Sequence, residues 1–270
     1  MRFNCYMVKS QKDLAYLRDL YIDENWTRRF TDLFDKHVGF KNGEKILYVN
    51  AGTGNHVFAL RERIKKDTAI FATCENEEVL TIARDKAAAV RADIDFSMKR
   101  FEDNKFDAVV ADASFVRPEH LEQLLGDSVR VTRPGGNTAL MIVSAGSFGE
   151  IFSLLWEVLF NEDLGEHGAA AEQRITELPT LTNVEEMAAR AGLENIHTHT
   201  ANEFFDYDNG AAFINSPLVA DFLLPVWLRT LNESEKERVT EQLARLIDDE
   251  DGNLSFRFSV KVTLLTGDKA

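Results

Sequence analysis

The stretch Ile46-Leu47-Tyr48-Val49-Asn50-Ala51-Gly52-Thr53-Gly54-Asn55-His56 decides how the rest of the chain is read. An aliphatic run breaks into a glycine loop, and Val57, Leu60 and Ile64 then recur at helical spacing. The run is short and apolar enough for a strand buried on both faces of a parallel sheet. Gly52 and Gly54 stand where the backbone turns sharply and a ligand can approach without a Cβ in its way. The first N–H groups of the following helix point at that ligand. A dinucleotide fingerprint, Gly-x-Gly-x-x-Gly, needs a third glycine for close helix packing. That position is Val57, which argues against a nicotinamide dinucleotide.

Outward from the loop, Ala69 to Cys74 reads as a second buried strand, ending at Glu75 about 20 residues beyond the glycines, where an acid can accept from both hydroxyls of a ribose. A plain helix-starting acid is the alternative there. The helix Glu77 to Arg91 follows. A weak third strand around Ile94 to Met98 alternates polar and apolar residues, as expected at a sheet edge. Phe106 to Asp112 reads as a fourth strand, with Asp112 and Ser114 emerging at its carboxyl end, the edge where doubly wound sheets bind ligands. Helix His120 to Val131 runs into Thr132-Arg133-Pro134-Gly135-Gly136, where the proline is expected to stop the helix, and Thr138 to Val143 is a fifth strand. Ser147 is placed to cap the next helix, Ile151 to Phe160, and 161–179 is a polar excursion. A capped helix over Thr182 to Gly192 and a strand from Ile196 to Thr200 come next. The last strand, Ser255 to Leu265, puts Phe256, Phe258, Val260, Val262 and Leu264 on one face.

Before the loop, Lys9 to Val38 is helical and amphipathic, with an interruption expected at Asp23-Glu24-Asn25. Between the last two strands, 202–250 holds Phe204-Phe205-Asp206-Tyr207, an apolar helix Val219 to Leu231 and a charged helix Ser234 to Asp248 with a Ser234/Glu237 capping box. An insertion of that length is expected to form a substrate cap.

Composition sets the bounds. The chain has 270 residues, 44% of them hydrophobic, enough for a single domain over 1–270 with elaborations, namely N-terminal helices over 1–40 and the helical insertion. With 31 basic against 45 acidic residues, net −14, phosphate backbones and anionic lipids are repelled, so a small-molecule substrate is expected rather than nucleic acid or membrane. Two cysteines, Cys5 and Cys74, make no disulfide framework, and neither a signal peptide nor a spanning segment of roughly 20 apolar residues is seen, which points to the cytoplasm. His197 and His199 without a third ligand make a poor zinc site, so no metal is expected. Oligomeric state is not legible.

The glycine loop resembles motif I of the S-adenosylmethionine-dependent methyltransferases with a Rossmann-like sheet, an acidic residue followed by x-Gly-x-Gly-x-Gly. Positions 48, 50, 52 and 54 correspond, and only Gly52 and Gly54 match; Tyr48 replaces the acid and Asn50 the first glycine. Phe106-Asp107 before an aliphatic run and Arg130-Val131-Thr132-Arg133-Pro134-Gly135-Gly136 before the fifth strand resemble later segments of the same class I family. The resemblance implies a doubly wound α/β sheet, mostly parallel, of order 3-2-1-4-5 with an antiparallel final strand beside the fifth. It implies S-adenosyl-L-methionine as cofactor, held by Tyr48, Asn50, Ala51, Gly52, Thr53, Gly54, Glu75, Asn76, Ser97, Met98 and Asp112. The acid that family members place after the third strand for the adenine amino group is absent, leaving Ser97, Met98 or backbone groups. Methyl transfer to a small molecule is the expected activity, with Asp112 and Tyr207 as candidate catalytic residues and His56 as a possible assistant. The alternative is a catalytically degenerate protein that keeps the fold and uses the pocket for another ligand.

Overall fold

Every apolar run that leads from a turn signal into a helical repeat forms a strand in the computed structural model, which describes residues 9–169, 173, 177–251 and 255–270. The strands are β1 (Lys45–Val49), β2 (Ala69–Thr73), β3 (Asp95–Ser97), β4 (Phe106–Asp112), β5 (Thr132–Val143), β6 (Leu193–Tyr207) and β7 (Phe256–Lys269). They form one sheet of order β3-β2-β1-β4-β5-β7-β6. The first five pair in parallel, and β7 runs antiparallel between β5 and β6. This is the expected doubly wound α/β arrangement, with the final strand inserted beside the fifth.

Both faces of the sheet are covered, and alternation along each strand divides the core. On β5, Ala139, Met141 and Val143 pack with the N-terminal helices, α3 (Asn55–Arg63), α4 (Glu77–Val90) and α6 (Gly149–Asn161). Leu140 and Ile142 face α5 (Pro118–Val131) and α7 (Leu181–Arg190) instead. Strand β7 alternates cleanly only over its first half. From Val262 to Leu265 both faces are buried, because Leu265 is covered by Val184 and Ala188 of α7.

The N-terminal segment departs from expectation. Asp23-Glu24-Asn25 do not interrupt it: α1 (Gln11–Leu17) passes into a π-helical stretch, Arg18–Thr27, and on into α2 (Arg28–His37). Ile22, Trp26, Phe30 and Phe34 are fully buried at four-residue intervals. A strict repeat of four overshoots an α turn, and the wider π turns absorb the drift. Cys5 and the rest of residues 1–8 lie outside the described residues, as does part of the 161–179 excursion.

Local chemistry moved several boundaries. Helix α5 ends at Val131, ahead of Pro134, and Pro134-Gly135-Gly136 form an irregularity within β5, where a Cβ on Gly136 would stand 2.7 Å from the Asp107 carbonyl oxygen. Ser147 caps nothing; its hydroxyl donates to the Ser144 carbonyl and accepts from Lys261 N–H, while Phe148 in the left-handed region starts α6. Strand β6 runs to Tyr207, paired with Phe256, so residues 202–207 belong to the sheet and the insertion opens after them. The insertion holds α8 (Gly210–Asn215), a π-helical turn Leu218–Leu223, α9 (Leu224–Trp227) and α10 (Glu233–Asp251). The box at the start of α10 is Asn232 with Glu235, two residues before the expected Ser234. His199 stacks on His37 with ring centroids 3.6 Å apart.

Candidate functional site

The carboxyl ends of β1, β2, β3 and β4 bring the expected residues other than Tyr207 to one edge, and the N-terminal helices close over them. Asn50 and Gly52 both adopt positive φ, 56° and 55°, which makes the loop turn back over the end of β1. Asparagine tolerates this conformation better than most residues, and its side-chain N–H donates to the Asp112 carbonyl oxygen at 3.0 Å, tying β1 to β4. Ala51 N–H donates to the Thr73 carbonyl at 2.8 Å, tying the loop to β2. Gly54 starts α3, and a Cβ there would stand 2.7 Å from the Phe96 ring.

A cavity of about 310 Å³ lies between this loop and the N-terminal helices, walled by Tyr48, Ala51, Gly52 and Asp112 on the sheet side and by Arg18, Asp23 and Asp35 on the helix side. Arg18 crosses it. Its guanidinium lies over Gly52, where a Cβ would be 3.1 Å from Nε, and Nη2 pairs with the Glu75 carboxylate at 2.8 Å. Burial works against the Arg18 charge, but Glu75, Asp112 and Asp23 outweigh it and raise its pKa, so the cation is held. Thr53 is turned to the helices, donating to Asp19 at 2.6 Å. Lys86 of α4 pairs with the same Asp19 at 2.6 Å, so the π-helical stretch is pinned to both the loop and α4.

At position 48, where the resemblance leads one to expect an acid, the structure has a relay of side chains. Burial raises the Tyr48 pKa well above its ordinary value, so the phenol stays protonated and donates to His56 Nδ1 at 3.0 Å. That fixes the tautomer, and His56 Nε2–H donates to Asp35 at 3.0 Å. Burial opposes the charge on Asp35, but hydrogen bonds from His56 and Arg63 hold its pKa down at about 2. A negative charge therefore reaches this cavity through residue 35. Asp112 is 4% exposed, and burial raises its pKa against the Ser114 N–H that donates to it at 2.9 Å.

Burial also pushes Asp23 up to about 6, only partly offset by Arg18. Because the folded chain binds this proton more tightly than the unfolded chain does, stability contributed here rises as pH falls through 6 toward the ordinary value of 3.8. The melting temperature of the wild type relative to Asp23→Asn is expected to increase between pH 7.5 and pH 5. A difference independent of pH would contradict the assignment.

The other expected site residues divide. Ser97 is buried at the end of β3, and its hydroxyl has no hydrogen-bond partner among the described residues. Met98 is 47% exposed, and Asn76 is an N-cap, accepting from Val79 N–H at 2.9 Å. Tyr207 is not brought to the cavity: it lines a separate one with Tyr21 and Arg29, its ring against Phe213 and Phe258, because β6 continues through it. Phe204 is exposed against Arg257, and Phe213 is buried against Phe256. Arg18, Asp23 and Asp35 escaped the sequence reading. Their only signal was charge interleaved in an amphipathic stretch, the ordinary mark of a solvated face.

Comparison with known proteins gives a family match over part of the chain. Residues 46–136 match the methyltransferase domain family. Over 103 residues the chain is 29% identical to the ubiquinone/menaquinone biosynthesis C-methyltransferase UbiE of Chromobacterium violaceum, covering 36% of this chain and 42% of that protein. The chain thus spans less than half the length of the curated relatives it matches. Among solved structures, the YcgJ protein of Bacillus subtilis superposes with a TM-score of 0.57 at 14% identity, over 90% of this chain and 98% of that one. The Haemonchus contortus phosphoethanolamine N-methyltransferase 2, solved with phosphomonomethylethanolamine and S-adenosylhomocysteine, gives 0.54 at 14% identity, over 96% and 57%. Strand order, glycine loop and the match over residues 46–136 together make the chain similar to the class I, Rossmann-like S-adenosylmethionine-dependent methyltransferases.

Proposed function

We propose that the chain binds S-adenosylmethionine along the carboxyl ends of β1 to β4 and transfers its methyl group to a small-molecule acceptor. The observation that carries this reading is the succession, on adjacent strand ends, of a glycine loop at positive φ, the Glu75 carboxylate and the buried Ser97 hydroxyl, unpartnered among the described residues. These residues fit the cofactor. Glu75 would accept from the ribose hydroxyls, Ser97 would meet the adenine, and Asp23 would face the ammonium. Arg18, released from Glu75, would take the carboxylate. Bound there, the cofactor supplies an electrophilic methyl group on a sulfonium. The chain's own part is to orient both reactants, exclude water with the N-terminal helices, and accept a proton at Asp112 from an acceptor that arrives protonated; its burial favours that protonated carboxyl. The excess of acidic residues supports a small molecule over nucleic acid, and the buried free thiol of Cys74 suits the cytoplasm. No described helix is long and apolar enough to cross a membrane.

One observation favours a second reading, the degenerate binder: Arg18 fills the space over Gly52 and neutralises Glu75 from within the chain. Calorimetric titration with S-adenosylmethionine, S-adenosylhomocysteine and NADH separates the two. Binding of the first two and not the third is expected. No binding at millimolar cofactor, with binding created by Tyr48→Asp and Asn50→Gly, would establish the degenerate protein.

A further inference from the structure

A second cavity of about 100 Å³ opens at the carboxyl ends of β4 and β5, beside the first. We infer that it receives the methyl acceptor, and that this acceptor is a neutral, ring-bearing molecule presenting a hydrogen-bond-accepting oxygen to Trp26 and Ser114. The assignment as acceptor rests on the methyl-transfer reading; the ligand chemistry rests on the cavity alone.

The two cavities share walls. Asp112 lines the first, and Ala113 and Ser114, the next two residues of the chain, line the second; Thr27 lines the first and its neighbour Trp26 the second. A molecule in the second cavity is thus separated from the cofactor cleft only by the end of β4 and one turn of the N-terminal helix.

The wall is aromatic. Phe115 stacks on Trp26 with centroids 5.1 Å apart, Phe222 lies 5.7 Å from Phe115, and Trp227 meets Phe148 edge-on at 5.4 Å. Such walls favour a flat ring, which can offer a face or an edge to each neighbour. At about 100 Å³ the cavity is smaller than the roughly 150 Å³ of a dry cavity that takes benzene, so it holds part of a single ring and leaves the rest at its open mouth.

Two residues that line this cavity each carry a buried polar atom with no hydrogen-bond partner among the described residues, Trp26 Nε1 and Ser114 Oγ. Trp26 is fully buried and Ser114 is 6% exposed, so solvent does not serve them. The Ser114 hydroxyl lies near the Asp112 carboxyl without a well-formed bond to it. A buried unpaired donor is costly, of the order of 1 to 3 kcal/mol, and calls for a partner. An indole N–H can only donate, so the missing partner must accept. This requirement separates the proposal from an aromatic cage for a quaternary ammonium, which offers no acceptor. Arg117 at this wall is exposed and already paired with Glu119 at 3.1 Å, and Glu177 is the acid that would favour a cation.

The test is ¹⁹F NMR titration of the full chain with 4-fluorophenol, fluorobenzene and tetramethylammonium chloride as competitor. The expected result is at least tenfold tighter binding of 4-fluorophenol than of fluorobenzene. The preference should be reduced to less than threefold in Trp26→Phe, which keeps the ring and removes the N–H, and lowered in Ser114→Ala. Phe222→Ala should weaken both probes together. Equal affinity of the two probes in the wild type, an unchanged preference in both Trp26→Phe and Ser114→Ala, or displacement of 4-fluorophenol by tetramethylammonium would overturn it. Should Trp26→Phe fail to fold, the Ser114→Ala comparison decides alone. S-adenosylhomocysteine is titrated into the same sample by calorimetry. Loss of the cofactor reading would show there alone, and loss of the oxygen preference would sink only this inference.

Discussion

Arg18→Ala is expected to tighten binding of 5′-methylthioadenosine about tenfold while weakening S-adenosylhomocysteine by a similar factor, each corresponding to roughly 1.4 kcal/mol. The two ligands share adenine, ribose and a sulfur, and only the second carries an amino acid. In the free protein Glu75 is bound by Arg18 at 2.8 Å, so a ribose must displace the guanidinium before it can use the carboxylate. Methylthioadenosine gives Arg18 nothing in return. S-adenosylhomocysteine offers its own carboxylate, so the arginine exchanges one anion for another and remains paired inside the cleft. Removing the guanidinium should therefore help the first ligand and hurt the second. Glu75 is about a quarter exposed, so water can serve it in the variant and the fold should survive. Calorimetry with both ligands on both proteins checks this. Parallel changes for the two ligands would show that Arg18 only supports the structure.

Gly210→Ala is expected to cost about 3 kcal/mol, the upper end of what overpacking usually costs. A Cβ on Gly210 would stand 2.0 Å from the Ala244 carbonyl oxygen and 2.6 Å from its carbonyl carbon. These are backbone atoms in the middle of α10, so no side chain can swing aside and the two helices must part. Parting them also breaks the bond from Gly210 N–H to Asp248 at 2.6 Å. Gly149→Ala is the control: nothing lies within 4 Å of its Cβ position, and a change below about 1 kcal/mol is expected. Urea denaturation of the three proteins provides the measurement. A loss under about 0.5 kcal/mol for Gly210→Ala would mean that the insertion packs differently.

The sheet was legible because strand, turn and helix signals recur in one order, and because a run such as Ile46 to Val49 has few alternatives to a buried parallel strand. Turn chemistry was legible less often. Asn232 and Thr180 cap their helices ahead of the expected starts, since a capping residue competes with equally suitable neighbours and only the local backbone decides. The end of β6 was misplaced because Phe204 to Tyr207 is aromatic, and an aromatic run suits a strand as well as a cap. At the candidate site, the strand-end positions of Glu75 and Asp112 were legible in the sequence. Arg18 could not, since its partners lie 34 and 57 residues away at Gly52 and Glu75, joined only by the docking of a helix whose periodicity speaks of packing. Tyr48 stands where an acid was expected, and the fold joins it through His56 to the Asp35 carboxylate on the cavity wall.

The central claim is that the cofactor takes Glu75 from Arg18. A crystal structure of the chain with S-adenosylhomocysteine tests it most directly. The predicted result is the ribose hydroxyls on the Glu75 carboxylate, the Gly52 backbone uncovered, and the Arg18 guanidinium moved onto the ligand's carboxylate. Arg18 still paired with Glu75 at saturating ligand, or the ligand bound away from the glycine loop, would contradict it.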